Sequence, residues 1–182
     1  MRLASSSLLS LLLWALSGAA LAQVPTPAAQ AFERLKTLQG DWQGAFPDGR
    51  RHTVNYRLSA AGTVLVETWQ LGPGRESMTL YHLDGDRLLA THYCPQGNQP
   101  RLQWVPGPDP DVQRFDFVDG TGLDLPDRSH QHAFVTRIGE GTYSRSETYV
   151  GNQATADERA EAAAAAGAEA AIVYTRIESS GG

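Results

Sequence analysis

Hydrophobic and polar positions alternate with a period of two along most of this chain. The period is 3.6 only near its start and in one late segment. Residues 28–38 carry Ala31, Phe32, Leu35 and Leu38 at three-and-four spacing, with Glu33 and Lys36 on the other side, which predicts a short helix. From Asp41 the alternation takes over. Val54, Tyr56 and Leu58 share one face of residues 52–59, with Thr53, Asn55 and Arg57 on the other. Strands are predicted at 41–46, 52–59, 63–71, 78–83, 87–94, 100–105, 112–118, 131–138, 142–150 and 171–178. Turn chemistry separates them: Pro47-Asp48-Gly49, Gly72-Pro73-Gly74, Asp84-Gly85-Asp86, Gly139-Glu140-Gly141. Short strands with mostly local connections predict an all-β fold, an antiparallel up-and-down β-barrel of about ten strands, rather than alternating βα units.

Residues 155–170 break the pattern. TADERAEAAAAAGAEA is rich in strong helix formers, and Thr155 with Glu158 fits a capping box. The segment lacks large apolar side chains, so it is read as an exposed helical insertion before the last strand that buries little.

Residues 1–22 have a different character. Arg2, an apolar run over 8–16 and Ala20-Leu21-Ala22 read as a cleavable signal peptide. The domain expectation is therefore a signal at 1–22, a linker and helix at 23–37, and a barrel at 38–182. Its destination is the periplasm or the exterior. No further stretch reads as a membrane span, so no membrane association is expected after cleavage. Removing Arg2 leaves 14 basic against 20 acidic residues, a balance that argues against nucleic acid as a partner. Cys94 is the only cysteine, so no internal disulfide can brace the fold.

Two motifs support a resemblance. Gly40-Asp41-Trp42 follows the first helix, and a lone Arg176 stands in the last strand, VYTRIE. With about ten antiparallel strands, this resembles the calycin group of lipocalins, fatty-acid-binding proteins and nitrobindin-like barrels. The resemblance implies that Trp42 closes one barrel end and that Arg176 packs across it, both as structural residues. The run YHLDGDRLLATHYCPQGNQP, with Leu65-Val66-Glu67 before it and His130-Gln131-His132 after it, is similar to an uncharacterised lipocalin-like group of exported bacterial proteins. That likeness covers 38–154 and 171–178 and implies no particular activity.

The barrel interior is the default place for a ligand. Its walls are expected from Val54, Tyr56, Leu58, Leu88, Ala90, Leu102, Trp104, Phe115, Phe117 and Phe134. In the 78–94 hairpin, one register pairs His82 with Arg87 and puts Tyr81 with Leu88, Ala90, His92 and Cys94. Another groups Met78, Leu80 and His82 with that same set. Either way His92 falls on the more apolar face, which makes it the leading pocket candidate. Glu67 lies on a face with Leu65 and Trp69, while Val64, Val66 and Thr68 compete for the inside. An inward Glu67 would have to be paired, and His92 is the expected partner. Glu147, which shares a face with Tyr143, Arg145 and Tyr149, is expected in solvent.

Asn98 and Gln99 either contact a ligand at the barrel mouth or close a turn. Tyr81 and His132 complete the ligand-binding candidates. His130 and His132 suit a metal only with a third ligand such as His92 or Glu67. Cys94 is read as a buried, inert thiol rather than a nucleophile. No catalytic residues are assigned and no cofactor is expected, with metal or haem as open alternatives. The functional expectation is an exported protein holding a small apolar or amphipathic ligand. A Glu/His enzyme and a ligand-free structural barrel remain as competing readings.

Overall fold

The computed structural model describes residues 24–168 and 170–178; the expected signal segment lies outside the described residues. Ten antiparallel strands close on themselves: β1 (Gly40–Ala45), β2 (Arg51–Ser59), β3 (Val64–Gly72), β4 (Arg75–Asp84), β5 (Arg87–Tyr93), β6 (Gln99–Val105), β7 (Val112–Thr121), β8 (Ser129–Ile138), β9 (Thr142–Gly151) and β10 (Ile172–Arg176). Each strand pairs with the next in sequence, and β10 pairs with β1 to shut the barrel. Helix α1 (Pro27–Lys36) precedes β1, and α2 (Ala156–Ala165) lies between β9 and β10. Closure leaves no free sheet edge, so every strand finds a ladder partner on both sides.

The expected hairpin of β4 and β5 is present, in a register that differs from both sequence alternatives. Asp84 pairs with Arg87 across a two-residue loop, His82 with Leu89, Tyr81 with Ala90 and Thr79 with His92. Gly85 supplies φ +62° at the first loop position, where a side chain would be strained. An Arg87–Asp84 ion pair ties the two loop ends. The inward face therefore carries Leu88, Ala90 and His92 opposite Tyr81 and Thr79, all buried.

Helix α1 closes one end. Thr26 caps it, with its hydroxyl accepting from Ala29 N–H, and Pro27 opens its first turn. Ala28, Ala31, Phe32 and Leu35 are buried in the same cluster as Leu38, Trp42, Leu65 and Tyr143. Trp42 Nε1 donates to Leu38 O at 2.7 Å. Arg176, paired opposite Trp42, places its guanidinium 4.3 Å from the indole centroid and donates to Gln39 O and Thr37 O. Gly40 permits this approach, because a Cβ there would stand 2.5 Å from Arg176 Nη1 at a backbone φ of +122°. One guanidinium thus stacks on the ring and satisfies two carbonyls of the helix-to-strand link.

Among the described residues, α2 covers part of the outer face of the barrel. α2 packs against β8 and β9, with the capping box of Thr155 and Glu158 formed in full. It buries none of its own residues. Arg114 Nη2 donates to Ala163 O at 2.6 Å, and Gly167 passes so close to Val135 that an added Cβ would sit 3.1 Å from it. This explains why β8 is buried on both faces from His130 to Thr136, a longer buried run than in any other described strand. The insertion shields a strand, which its composition alone did not indicate.

Candidate binding site

The barrel interior above the closed end is polar at its centre. Leu65, Glu67 and Trp69 of β3 face inward together, which settles the competition in that strand. Glu67 is fully buried. Its Oε1 accepts from Tyr56 OH at 2.8 Å and Trp69 Nε1 at 2.6 Å, and its Oε2 accepts from Tyr81 OH at 2.5 Å. Burial, followed by the Glu67 charge, holds both phenols well above their ordinary pKa, so both remain donors.

The cation for this carboxylate is Arg145 of β9, also buried. Its Nη1 lies 3.8 Å from Glu67 Oε2 and donates to Tyr81 OH and Thr136 Oγ1. Its Nε donates to Glu147 Oε1 at 3.2 Å, and its guanidinium lies 3.5 Å from the Phe134 ring centroid. Gln131 Nε2 adds a second bond to Glu147 Oε1 at 2.9 Å. Two carboxylates thus share one guanidinium. Such a group survives burial because its charges are paired and Glu67 accepts three hydrogen bonds. Desolvation, and then the Glu67 charge, push the Glu147 carboxyl above its usual range against the pull of Arg145.

The expected Glu67–His92 pair is not formed. His92 Nδ1 instead meets Thr79 Oγ1 at 3.0 Å, its cross-strand partner. Its Nε2 is buried and has no hydrogen-bond partner among the described residues. Burial lowers the imidazole pKa to about 4, so the ring is neutral at ordinary pH.

His92 borders a cavity of about 410 Å³ at the end opposite α1. Phe46, Trp69, Leu71 and Pro95 give apolar walls, and Glu147, Ser77 and Ser129 give polar ones. Arg50 on the β1–β2 turn and Arg75, the first residue of β4, frame the mouth. A cavity of this size with few convergent polar groups is the usual form of a small-molecule site. Phe46, His52 and Trp69 stack in sequence, with ring centroids 4.2 and 5.3 Å apart, so the aromatic wall is braced from behind.

Of the residues singled out from sequence, the structure brings Glu67, Tyr81 and His92 to the same interior. Glu67 and Tyr81 lie beneath the cavity and do not line it. Asn98 and Gln99 do not line the cavity and tie the β5–β6 link to neighbouring strands. Asn98 Nδ2 donates to Ser129 O, and Gln99 Oε1 accepts from Thr121. His132 is the extra residue of a bulge, since Gln131 pairs with Tyr149 and Ala133 with Thr148. The bulge shifts the strand's phase, so Gln131 reaches Glu147. His130 and His132 bond to each other and stack near Phe117, away from the cavity. No group of three or more His, Cys, Asp and Glu side chains among the described residues is placed to hold a metal. Cys94 is half-buried on the cavity wall rather than sealed in the core.

Sequence reasoning missed Arg145 and placed Glu147 in solvent. The available signal was the alternation Tyr143, Arg145, Glu147 and Tyr149, where two large aromatics flank two charges on one face. No family model matches this chain, and no curated protein matches it.

Proposed function

We propose that this protein is an exported, calycin-like barrel that holds a small, partly apolar ligand in the cavity at its open end. The single observation carrying this reading is His92. A buried imidazole nitrogen without a partner costs free energy, on the order of 1–3 kcal/mol, unless something bound supplies the missing hydrogen bond. The aromatic wall beside it offers apolar contact, and the Glu67–Arg145–Glu147 group below it forms a rigid polar floor. Rigid, preorganised surroundings favour binding by lowering its entropic cost.

A second reading, acid–base catalysis, draws on the same cavity. Burial pushes Glu147 up and His92 down, which moves both toward the neutral forms in which one can give a proton and the other take it. Binding is preferred because, among the described residues, no nucleophile stands beside either group with a third residue to orient it.

Native mass spectrometry of the chain, purified without refolding, tests the binding reading. The expected result is a retained small molecule on the wild type that is lost in His92→Ala while the circular dichroism spectrum is unchanged. An empty wild type whose melting temperature responds to no member of a small-molecule library would overturn it.

A further inference from the structure

Resting on the binding reading, we propose that the ligand is a flat aromatic molecule with an uncharged hydroxyl-type group at its buried end and an anionic group at its outer end. Three observations meet here: the shape of the walls, the charge of the floor and the charge of the mouth.

The walls are flat and fixed. Trp69 is held by its bond to Glu67 and by the stack through His52 to Phe46. A planar ring gains more against such faces than a flexible chain does, because no chain entropy is lost in the fit.

The floor rejects an anion. The one guanidinium beneath the cavity, Arg145, already serves Glu67 and Glu147. His92 is neutral at ordinary pH because burial opposes its protonation. A carboxylate pushed inward would meet Glu147 and no free cation. A hydroxyl meets groups of the right kind: it can accept or donate at His92 Nε2, and it can donate to Glu147, whose Oε2 accepts from no described residue. A calycin-style ligand entering carboxylate-first does not fit this floor.

The mouth reverses the sign. Arg50 and Arg75 are the cationic lining residues, and both are exposed, Arg50 on the β1–β2 turn and Arg75 at the start of β4. Arg50 is partly neutralised by Asp48, with which it forms a 2.7 Å ion pair, and it stacks on Phe46. Arg75 has no hydrogen-bonded partner among the described residues. An anionic group on the outer end of the ligand would meet Arg75 first.

Calorimetric titration of the full chain with three matched probes tests the proposal: 6-hydroxy-2-naphthoate, 2-naphthol and 2-naphthoate. The first is expected to bind tightest. Deleting its hydroxyl should weaken binding about tenfold, the usual cost of leaving a buried polar group unpaired. That difference should vanish in His92→Phe, whereas the smaller loss on deleting the carboxylate should vanish in Arg75→Gln. The wild-type comparison needs no variant, so a misfolded His92→Phe would not blunt it. If 2-naphthoate binds as tightly as the hydroxy acid, the ligand class is wrong while the cavity reading stands. If none of the three binds, the ligand class is wrong, and the cavity reading falls with it when the wild type is also empty and its melting temperature responds to no member of the small-molecule library.

Discussion

The two ends of the barrel solve the same problem in opposite ways. Each carries an arginine stacked on an aromatic ring. At the closed end Arg176 lies over Trp42 and spends its donors on the carbonyls of Thr37 and Gln39. Trp42 Nε1 is satisfied too, and α1 fills the remaining space. Toward the open end Arg145 lies over Phe134, donates to the side chains of Glu147, Tyr81 and Thr136, and pairs with Glu67 at 3.8 Å. Just beyond it, His92 Nε2 and Gln131 Oε1 are buried without partners. Trp104 Nε1 and Gln113 Oε1 near α1, and Tyr143 OH, are also buried without partners, so what sets the open end apart is that one of its unpartnered atoms belongs to His92, which lines the 410 Å³ cavity.

The contrast is broken most severely at Arg145. Arg145→Met should leave Glu67 buried and Glu147 half-buried without their cation and cost about 3–5 kcal/mol, read as a fall in the urea midpoint. Adding Glu67→Leu should recover part of that loss. If Arg145→Met is nearly neutral, the central network does not hold the barrel.

Acid sharpens the comparison from the open end. His92 takes its proton near pH 6.5 when unfolded and near 4 when folded, so the unfolded chain binds more protons between those values. Its contribution is complete above about pH 6.5, is lost as pH falls toward 4, and amounts to about 3 kcal/mol. Desolvation gives His52, His130 and His132 the same sign, while Glu147, with its raised pKa, has the opposite one. The difference between wild type and His92→Gln across pH 4–7 isolates His92. A pair of parallel stability curves would refute its burial as a neutral base.

At the closed end the effects are smaller because Arg176 is exposed. Arg176→Met should cost about 1–2 kcal/mol in thermal denaturation, from lost stacking and two lost hydrogen bonds. A loss equal to that of Arg145→Met would erase the distinction between the ends. Smallest is the insertion, which belongs to neither end. Thr155→Ala removes its cap and should cost about 1 kcal/mol of local helix stability, visible as faster amide exchange in α2 with unchanged global unfolding.

Much of this architecture was legible because it is encoded locally. Alternation located all ten strands to within a few residues, and Gly-containing turns marked most of their ends. The Gly40–Trp42 motif and Arg176 announced a closing contact whose parts are far apart in sequence. The candidate site was less legible. Glu67 and His92 were found, but as partners of one another, because Tyr56, Trp69 and Tyr81 offer donors that a charge-counting argument does not weigh. Glu147 read as solvated, since a glutamate between polar neighbours on an antiparallel strand usually is. His132 read as inward because a bulge that shifts phase by one residue leaves no mark in QHAF.

By itself, the sequence determined the alternation, the turn chemistry and hence an antiparallel barrel. These depend on side-chain preference and on contacts between neighbours in the chain. Only the tertiary structure decided which charges share the interior. Closing the barrel brings β3, β4, β5 and β9 within hydrogen-bond reach across a common space. There the stability of the Glu67 carboxylate depends on Tyr56, Tyr81 and Arg145, which are 11, 14 and 78 residues away. The hairpin register likewise sets Thr79, and not Glu67, beside His92, and so leaves the imidazole's far nitrogen unpartnered on the cavity wall.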